Sequence, residues 1–339
     1  MLGAGGWGRN HVRTWHQLGA LAVVCDPDPD RRAEVTTTYE GVDVVADPSH
    51  VIGRADVAAL VLATPAPTHA ELAIAAMRAG HDVLVEKPLA TELRDAERVV
   101  EVADELGRVL SVGHVLEYHP AVRALSSLID DGALGELRWM SSHRLNLGRV
   151  RVAEDVLWSF SPHDIAMLLR FAHAAPEEVM SRGGSYLTPG IADTVFCGLR
   201  FPGGVEAQVF ASWLHPFKEQ RLVVVGSERM AVFDDLKPLT EKLVTYQYAV
   251  EHHDDRPPTT SLGAPDAVAL DDLQPLTEEC RHFLARIEDR ERPLTDGRSA
   301  LDVLRVLHAA DQSAAAGGAP VPLEPSLTSD TSKTSEVRR

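Results

Sequence analysis

The chain has 339 residues, 45% of them hydrophobic and 24% charged, with a formal net charge of −17. That length suits two domains, each able to bury its own core. No apolar run approaches the roughly 18 residues of a membrane span, and the acidic balance argues against a surface that neutralises nucleic-acid phosphates. Cys25, Cys197 and Cys280 lie far apart with no CxxC pair, so neither a disulfide framework nor a metal site is expected, and a reducing cytoplasm is the expected compartment.

The chain opens on glycines. Gly3, Gly5 and Gly8, with Gly6 and Trp7 between them, form a G-x-G-x-x-G turn before a helix whose apolar side includes Val12, Trp15 and Leu18. Such a turn lets a pyrophosphate approach the backbone at a helix N-terminus, which marks a dinucleotide site. A buried strand of about five or six residues normally precedes it, and here only Met1 and Leu2 do. The chain is therefore expected to continue upstream through the rest of that strand, its start placed too late or trimmed. The apolar run 21–25 closes on Asp26, where a carboxylate bonds the adenosine ribose hydroxyls and repels a 2′-phosphate, favouring NAD over NADP. The weaker alternative is that Asp26, before Pro27, is a turn former.

Further apolar runs at 57–63, 82–85 and 109–112 alternate with helical stretches at 68–79 and 91–106. Strands of continuous apolar residues alternating with helices predict a doubly wound parallel sheet. Its carboxyl edge carries Thr64, Pro65 and His69 after one strand and Glu86, Lys87 and Pro88 after the next. Ligands of open α/β sheets bind at that edge. Thr64, Pro65 and His69 read as cofactor contacts or as turn and cap residues. Lys87 reads as catalytic by position.

From about residue 119 the pattern changes. A helix at 121–130, a strand at 136–145 and a helix at 162–171 precede strands at 193–201, 205–213, 221–225, 229–233 and 242–248. Successive strands joined by tight turns predict an α+β domain with an antiparallel sheet. Residues 250–275 read as a loop, and helices are expected at 276–290 and 297–313. The domains are thus expected at 1–118 and 119–313, with 314–339 a disordered tail. Arg144, Asn146, Arg149 and Arg151 form a basic loop in an acidic protein, suited to a carboxylate or phosphate. His163 falls in a first helical turn after Ser161 and Pro162, where the helix dipole favours a neutral imidazole.

Together, the glycine turn, Thr64-Pro65 with His69, Glu86-Lys87-Pro88 and His163-Asp164 resemble the Gfo/Idh/MocA family (glucose-fructose oxidoreductase and inositol dehydrogenase), over nearly the whole chain except the tail. Segments 113–120, 146–151, 157–164 and 212–220 look like its branch of nucleotide-sugar 3-dehydrogenases, which act on UDP-N-acetylglucosamine or its uronic acid. The resemblance implies an NAD-binding Rossmann domain followed by a domain with a large open, mostly antiparallel sheet. That sheet serves as substrate platform and as the interface of a homo-oligomer, a dimer or tetramer. It implies Lys87 beside the nicotinamide, His163 facing the sugar, and Tyr118, Arg144, Asn146 and Arg149 among the substrate contacts. Many members carry aspartate where this chain has Ser159, so Lys87 and His163 are left to carry the proton transfer. A free sugar or an inositol is the alternative substrate. The alternatives of another class are a non-catalytic sensor and a subunit that binds NAD only to fold.

Overall fold

A computed structural model describes residues 1–148 and 150–323. In the first unit, Met1–His119 with Leu273–Leu304, the parallel strands are β1 (Val23–Cys25), β2 (Asp43–Val45), β3 (Ala59–Leu62), β4 (Asp82–Glu86) and β5 (Leu110–Gly113). β1 pairs with β2, and β4 lies between β3 and β5. Leu2 joins the two groups through parallel bridges to Cys25 and Leu62. Its N–H donates to Val61 O and its carbonyl accepts from Ala63 N–H, both at 2.8 Å. Met1-Leu2 thus fills the central strand position. β4 is buried along its whole length, as strands covered on both faces are.

The helices α1 (Gly8–Gln17), α2 (Pro29–Thr38), α3 (Ser49–Ile52), α4 (His69–Arg78) and α5 (Leu93–Leu106) connect these strands. Each long helix turns an apolar face to the sheet. α5 buries Ala96, Val99, Val102 and Ala103 and ends on Gly107 at φ 59°, the left-handed stop that glycine adopts without strain.

The second unit, Pro120–Asp272 with the chain from Arg305, contains α6 (Pro120–Asp130), β6 (Leu137–Leu145), α7 (Val156–Phe160) and α8 (Pro162–Ala172). Its strands continue with β7 (Glu178–Gly184), β8 (Thr194–Arg200), β9 (Glu206–Ser212), β10 (Glu219–Gly226), β11 (Arg229–Asp234), β12 (Leu243–Glu251), β13 (Thr259–Leu262), β14 (Asp266–Ala267) and β15 (Val321–Pro322). They form one sheet in the order β13-β12-β11-β10-β6-β9-β8-β7-β15, with β14 on β12. Every pair is antiparallel except β6 with β9. β8 buries Val195, Cys197 and Leu199 on one face and exposes Phe196 on the other, the period-two pattern of a sheet covered on one side.

Three expectations change. First, α9 (Pro275–Asp289), expected in the second domain, belongs to the first unit. Its Cys280, Phe283, Leu276 and Ile287 pack with Val12, Trp15, Val24 and Leu84, and Arg290 then clamps the buried Asp82 through two bonds of 2.5 and 3.0 Å. The division between units falls within α10 (Gly297–Ala315). Second, the expected loop 250–275 carries β13 and β14, whose exposed residues give no apolar alternation to read. Third, the expected tail is ordered as far as residue 323. α10 runs to Ala315, Ser313 Oγ donates to Ala319 O at 2.7 Å, and Val321 pairs with Val179. The remainder, 324–339, lies outside the described residues. Among those residues no helix is long and apolar enough to cross a membrane.

Candidate functional site

The glycine turn leaves no room for side chains where backbones meet. A Cβ on Gly8 would lie 2.3 Å from Gly3 O, and one on Gly3, at φ +90°, 2.5 Å from Ala63 O. Gly6 has nothing within 4 Å of a Cβ position, so the turn is open outward there, and a Cβ on Gly5 would lie 3.2 Å from Arg31 Nη1. Helix α1 begins at Gly8 with no side-chain cap from Trp7; the Arg9 and Asn10 N–H groups close on Gly5 O and Trp7 O, and the positive end of the helix dipole lies at the turn. These features fit a dinucleotide pyrophosphate.

Asp26 stands at the end of β1 as expected, but its carboxylate is committed inside the protein. It is 0% exposed. Oδ2 accepts the Ala4 N–H at 2.7 Å, Oδ1 accepts the Asp28 N–H at 2.9 Å, and Arg31 Nη1 covers Oδ2 at 3.5 Å. Its first task is to tie the glycine turn to β1.

His69, expected as a cofactor contact, is instead a brace. It is 1% exposed, and its ring nitrogens hydrogen-bond to Pro88 O at 2.7 Å and Thr64 O at 2.9 Å. This joins the turn after β3 to the turn after β4. Thr64 Oγ1 lies 2.8 Å from Thr68 Oγ1, which donates to Pro65 O. Thr64 and Pro65 therefore sit at the carboxyl edge beside the half-buried Lys87 and Pro88, whose peptide bond is cis. Tyr118 is withdrawn from the substrate contacts: it is 1% exposed and its hydroxyl pairs with Thr295 Oγ1 at 3.0 Å.

Glu86 points into the protein. Its Oε1 receives Trp7 Nε1 and His11 Nε2, each at 2.6 Å, and Oε2 receives the Lys87 N–H at 3.2 Å. Only glycine fits at 113, where a Cβ would meet Glu86 Oε2 at 2.8 Å. Burial pushes this carboxyl up, but the bond from His11, its charge, the Trp7 bond and the charge of Lys87 outweigh that and hold it below the usual carboxylate range. The carboxylate beside Lys87 is thus ionised, and it is bonded to two residues of the glycine turn and its helix.

In the second unit Arg144 is committed as well. Its Nε and Nη2 meet Asp164 Oδ2 and Oδ1 at 2.6 and 3.0 Å, and Ser142 Oγ donates to Oδ1 at 2.6 Å. The guanidinium is spent on a buried partner of its own chain, so it is no free anion receptor. The pair ties β6 to the first turn of α8, which carries the half-buried His163. Pro162 takes the first helical position as expected, but the Ser161 side chain makes no capping bond. Asn146 is half-buried and bonds Ser212 O through its N–H. Arg151 lies 3.8 Å from Glu154, and Arg149 lies outside the described residues.

Two site residues escaped the sequence. His11 sits one turn into α1 and is 0% exposed. Glu279 is 0% exposed and lies next to Cys280 in the apolar stripe of α9. An acid amid Leu276, Cys280 and Phe283 was the available signal.

Residues 1–114 match the oxidoreductase family Gfo/Idh/MocA, NAD-binding Rossmann fold, and residues 122–232 match its C-terminal domain. The chain is 29% identical over 237 residues to UDP-N-acetylglucosamine 3-dehydrogenase of Acidithiobacillus ferrooxidans, covering 70% of this chain and 73% of that protein. It is 33% identical over 218 residues to inositol 2-dehydrogenase 2 of Saccharopolyspora erythraea, covering 62% and 64%. A crystal form of the Acidithiobacillus 3-dehydrogenase superposes with a TM-score of 0.81 at 26% identity, over 93% of this chain and 96% of that one.

Proposed function

The chain belongs to the Gfo/Idh/MocA oxidoreductase family, and from that premise we propose that it oxidises the C3 hydroxyl of a nucleotide sugar, UDP-N-acetylglucosamine or its uronic acid. The observation that supports this reading is the similarity to the 3-dehydrogenase over 70% of the chain in sequence and 93% in structure, beside which an inositol 2-dehydrogenase is matched over 62%. The glycine turn and the amide end of α1 hold the pyrophosphate, and Asp26 keeps that turn in shape. NAD, when bound, supplies the hydride acceptor. Lys87 and His163 are the residues proposed to exchange the hydroxyl proton, a task worth about 10²- to 10⁴-fold in rate. Asn146 and Arg149 are the proposed contacts to the nucleotide end of the substrate, and Arg144 acts through Asp164.

A homo-oligomer through the large sheet fits the same reading. Phe196, 58% exposed, stacks on Phe210 at 4.2 Å beside the exposed Met180, an apolar patch suited to a second copy. The identity to an inositol 2-dehydrogenase favours a free polyol as the second reading. A panel of UDP-N-acetylglucosamine, its uronate, free N-acetylglucosamine and myo-inositol, followed by NADH absorbance, decides between them. NADH formation with a UDP-sugar and not with free sugars is expected. Turnover of inositol alone would transfer the assignment to the polyol, and tight NAD binding without any turnover would favour a subunit that binds NAD only to fold.

A further inference from the structure

Behind Lys87, two carboxylates share one buried site. His11, Glu86 and Glu279 offer side-chain atoms that all lie within 4.8 Å of one another, and His11 and Glu279 are both 0% exposed. The donors are unevenly divided. Glu86 receives Trp7, His11 and the Lys87 N–H. Both oxygens of Glu279, and Nδ1 of His11, have no hydrogen-bond partner among the described residues.

Two bare carboxylates this close do not both stay ionised away from water. The donors select Glu86 as the charged one. Burial and the charge of Glu86 push the Glu279 carboxyl well above its usual range, so it carries a proton. Titratable groups that feel Glu279 include Cys280 on the same helix and, from the segment after β5, Tyr118 near Glu117. Burial comes first in pushing both the Cys280 thiol and the Tyr118 hydroxyl up, with Glu279 adding to each. Both are neutral there and neither is a counter-ion for a second carboxylate. A divalent cation would find a usable donor set in a histidine and two carboxylates, but it would have to displace two N–H groups from Glu86 Oε1.

We propose that His11 is a positioning residue for Lys87: its bond to Glu86 keeps the pair's single negative charge on the carboxylate next to Lys87 and leaves the pair's proton on Glu279. The proposal rests on the role given to Lys87 above. Without His11 the buried Glu86 keeps only Trp7 and the Lys87 N–H as donors, burial then raises its carboxyl, and Lys87 loses charge on a neighbour that favours its ammonium form.

The chain has five lysines, Lys87, Lys218, Lys237, Lys242 and Lys333, so reductive ¹³C-dimethylation of the full-length protein gives few NMR resonances, and Lys87→Arg assigns the one that matters. In His11→Leu the Lys87 resonance is expected to titrate about one unit lower, the scale on which a nearby carboxylate acts. Glu279→Gln alone leaves it in place at neutral pH. His11→Gln, which keeps an N–H donor in place of Nε2, returns it toward the wild-type position. A histidine that only fills space would be replaced as well by Leu as by Gln. Trp7→Phe removes another side-chain donor, on a residue 47% exposed, and should shift Lys87 in the same direction, which serves if His11→Leu does not fold. An unmoved Lys87 in both donor variants, or His11→Gln without rescue, overturns the proposal. So does a stoichiometric divalent metal by elemental analysis whose chelation shifts Lys87. No substrate is used, so a failure of the whole sugar panel would remove the proposed activity without touching this result.

Discussion

The Asp26 carboxylate accepts the backbone N–H of Ala4 at 2.7 Å, so the end of β1 and the glycine turn are fastened to each other before any ligand arrives. Asp26→Ala would leave two amides, of Ala4 and Asp28, without their acceptor, at about 1–3 kcal/mol for each one that stays buried. Urea unfolding of the ligand-free variant should show a loss of roughly 2 kcal/mol or more, together with weaker NAD binding. Wild-type stability with only the NAD affinity reduced would mean that the ribose contact is the whole of its role.

Lys87→Ala should retain NAD binding, read by fluorescence titration, and lose turnover by about 10²-fold or more, the contribution of a positioned acid-base group. The glycine turn and Asp26 are untouched by the change. Normal turnover in this variant would remove Lys87 from the chemistry.

Arg144 and Asp164 separate a structural from a recognition role. Arg144→Met strands a carboxylate that is 1% exposed, and breaking a buried pair from one side costs about 3–5 kcal/mol. Arg144→Met with Asp164→Leu removes both charges and should recover most of that loss in thermal unfolding. If Arg144→Met instead raises KM for the UDP-sugar with stability intact, the guanidinium serves the substrate after all.

Glu279 predicts a pH dependence of stability. Its folded value is raised above the ordinary carboxylate value of 4.5. The stability it contributes is therefore fully present below about pH 4.5 and is lost as pH rises toward the folded value, with a slope of up to about 1.4 kcal/mol per unit for one proton. Glu279→Gln lacks this loss. Its melting temperature relative to wild type should climb as pH rises above about 5, and a difference that is flat with pH would mean Glu279 is ionised in the fold.

These residues also show what a sequence can carry. β3, β4 and β5 are short continuous apolar runs, and their carboxyl ends locate Thr64, Glu86 and Lys87 directly, because the topology of a parallel sheet assigns that edge to ligands. β7 was not legible: Glu178–Gly184 alternates exposed Met180 and Arg182 with a buried Ser181 and ends in two glycines. Position was readable for Arg144 and His69 but partnership was not. Nothing local to Arg144 says that the basic loop's first guanidinium closes on Asp164, or that His69 spends both nitrogens on carbonyls. His11 and Glu279 meet only because α9 returns to the first core, a long-range packing event with no short-range pattern.

The centre of the first sheet gives the last prediction. Met1 borders a cavity of about 280 Å³ walled by Leu21, Val23, Ala59, Phe283 and Ile287, in line with Leu2 between β1 and β3. An extended segment rises about 3.3 Å per residue and presents backbone groups to strands on both sides. Placing Val-Ile-Val-Ile before Met1 should therefore raise the melting temperature, by filling the cavity and pairing with both strands, and Gly-Ser-Gly-Ser in the same place, which brings backbone without apolar filling, should raise it less. Equal effects from both segments would show that the cavity does not accept a strand.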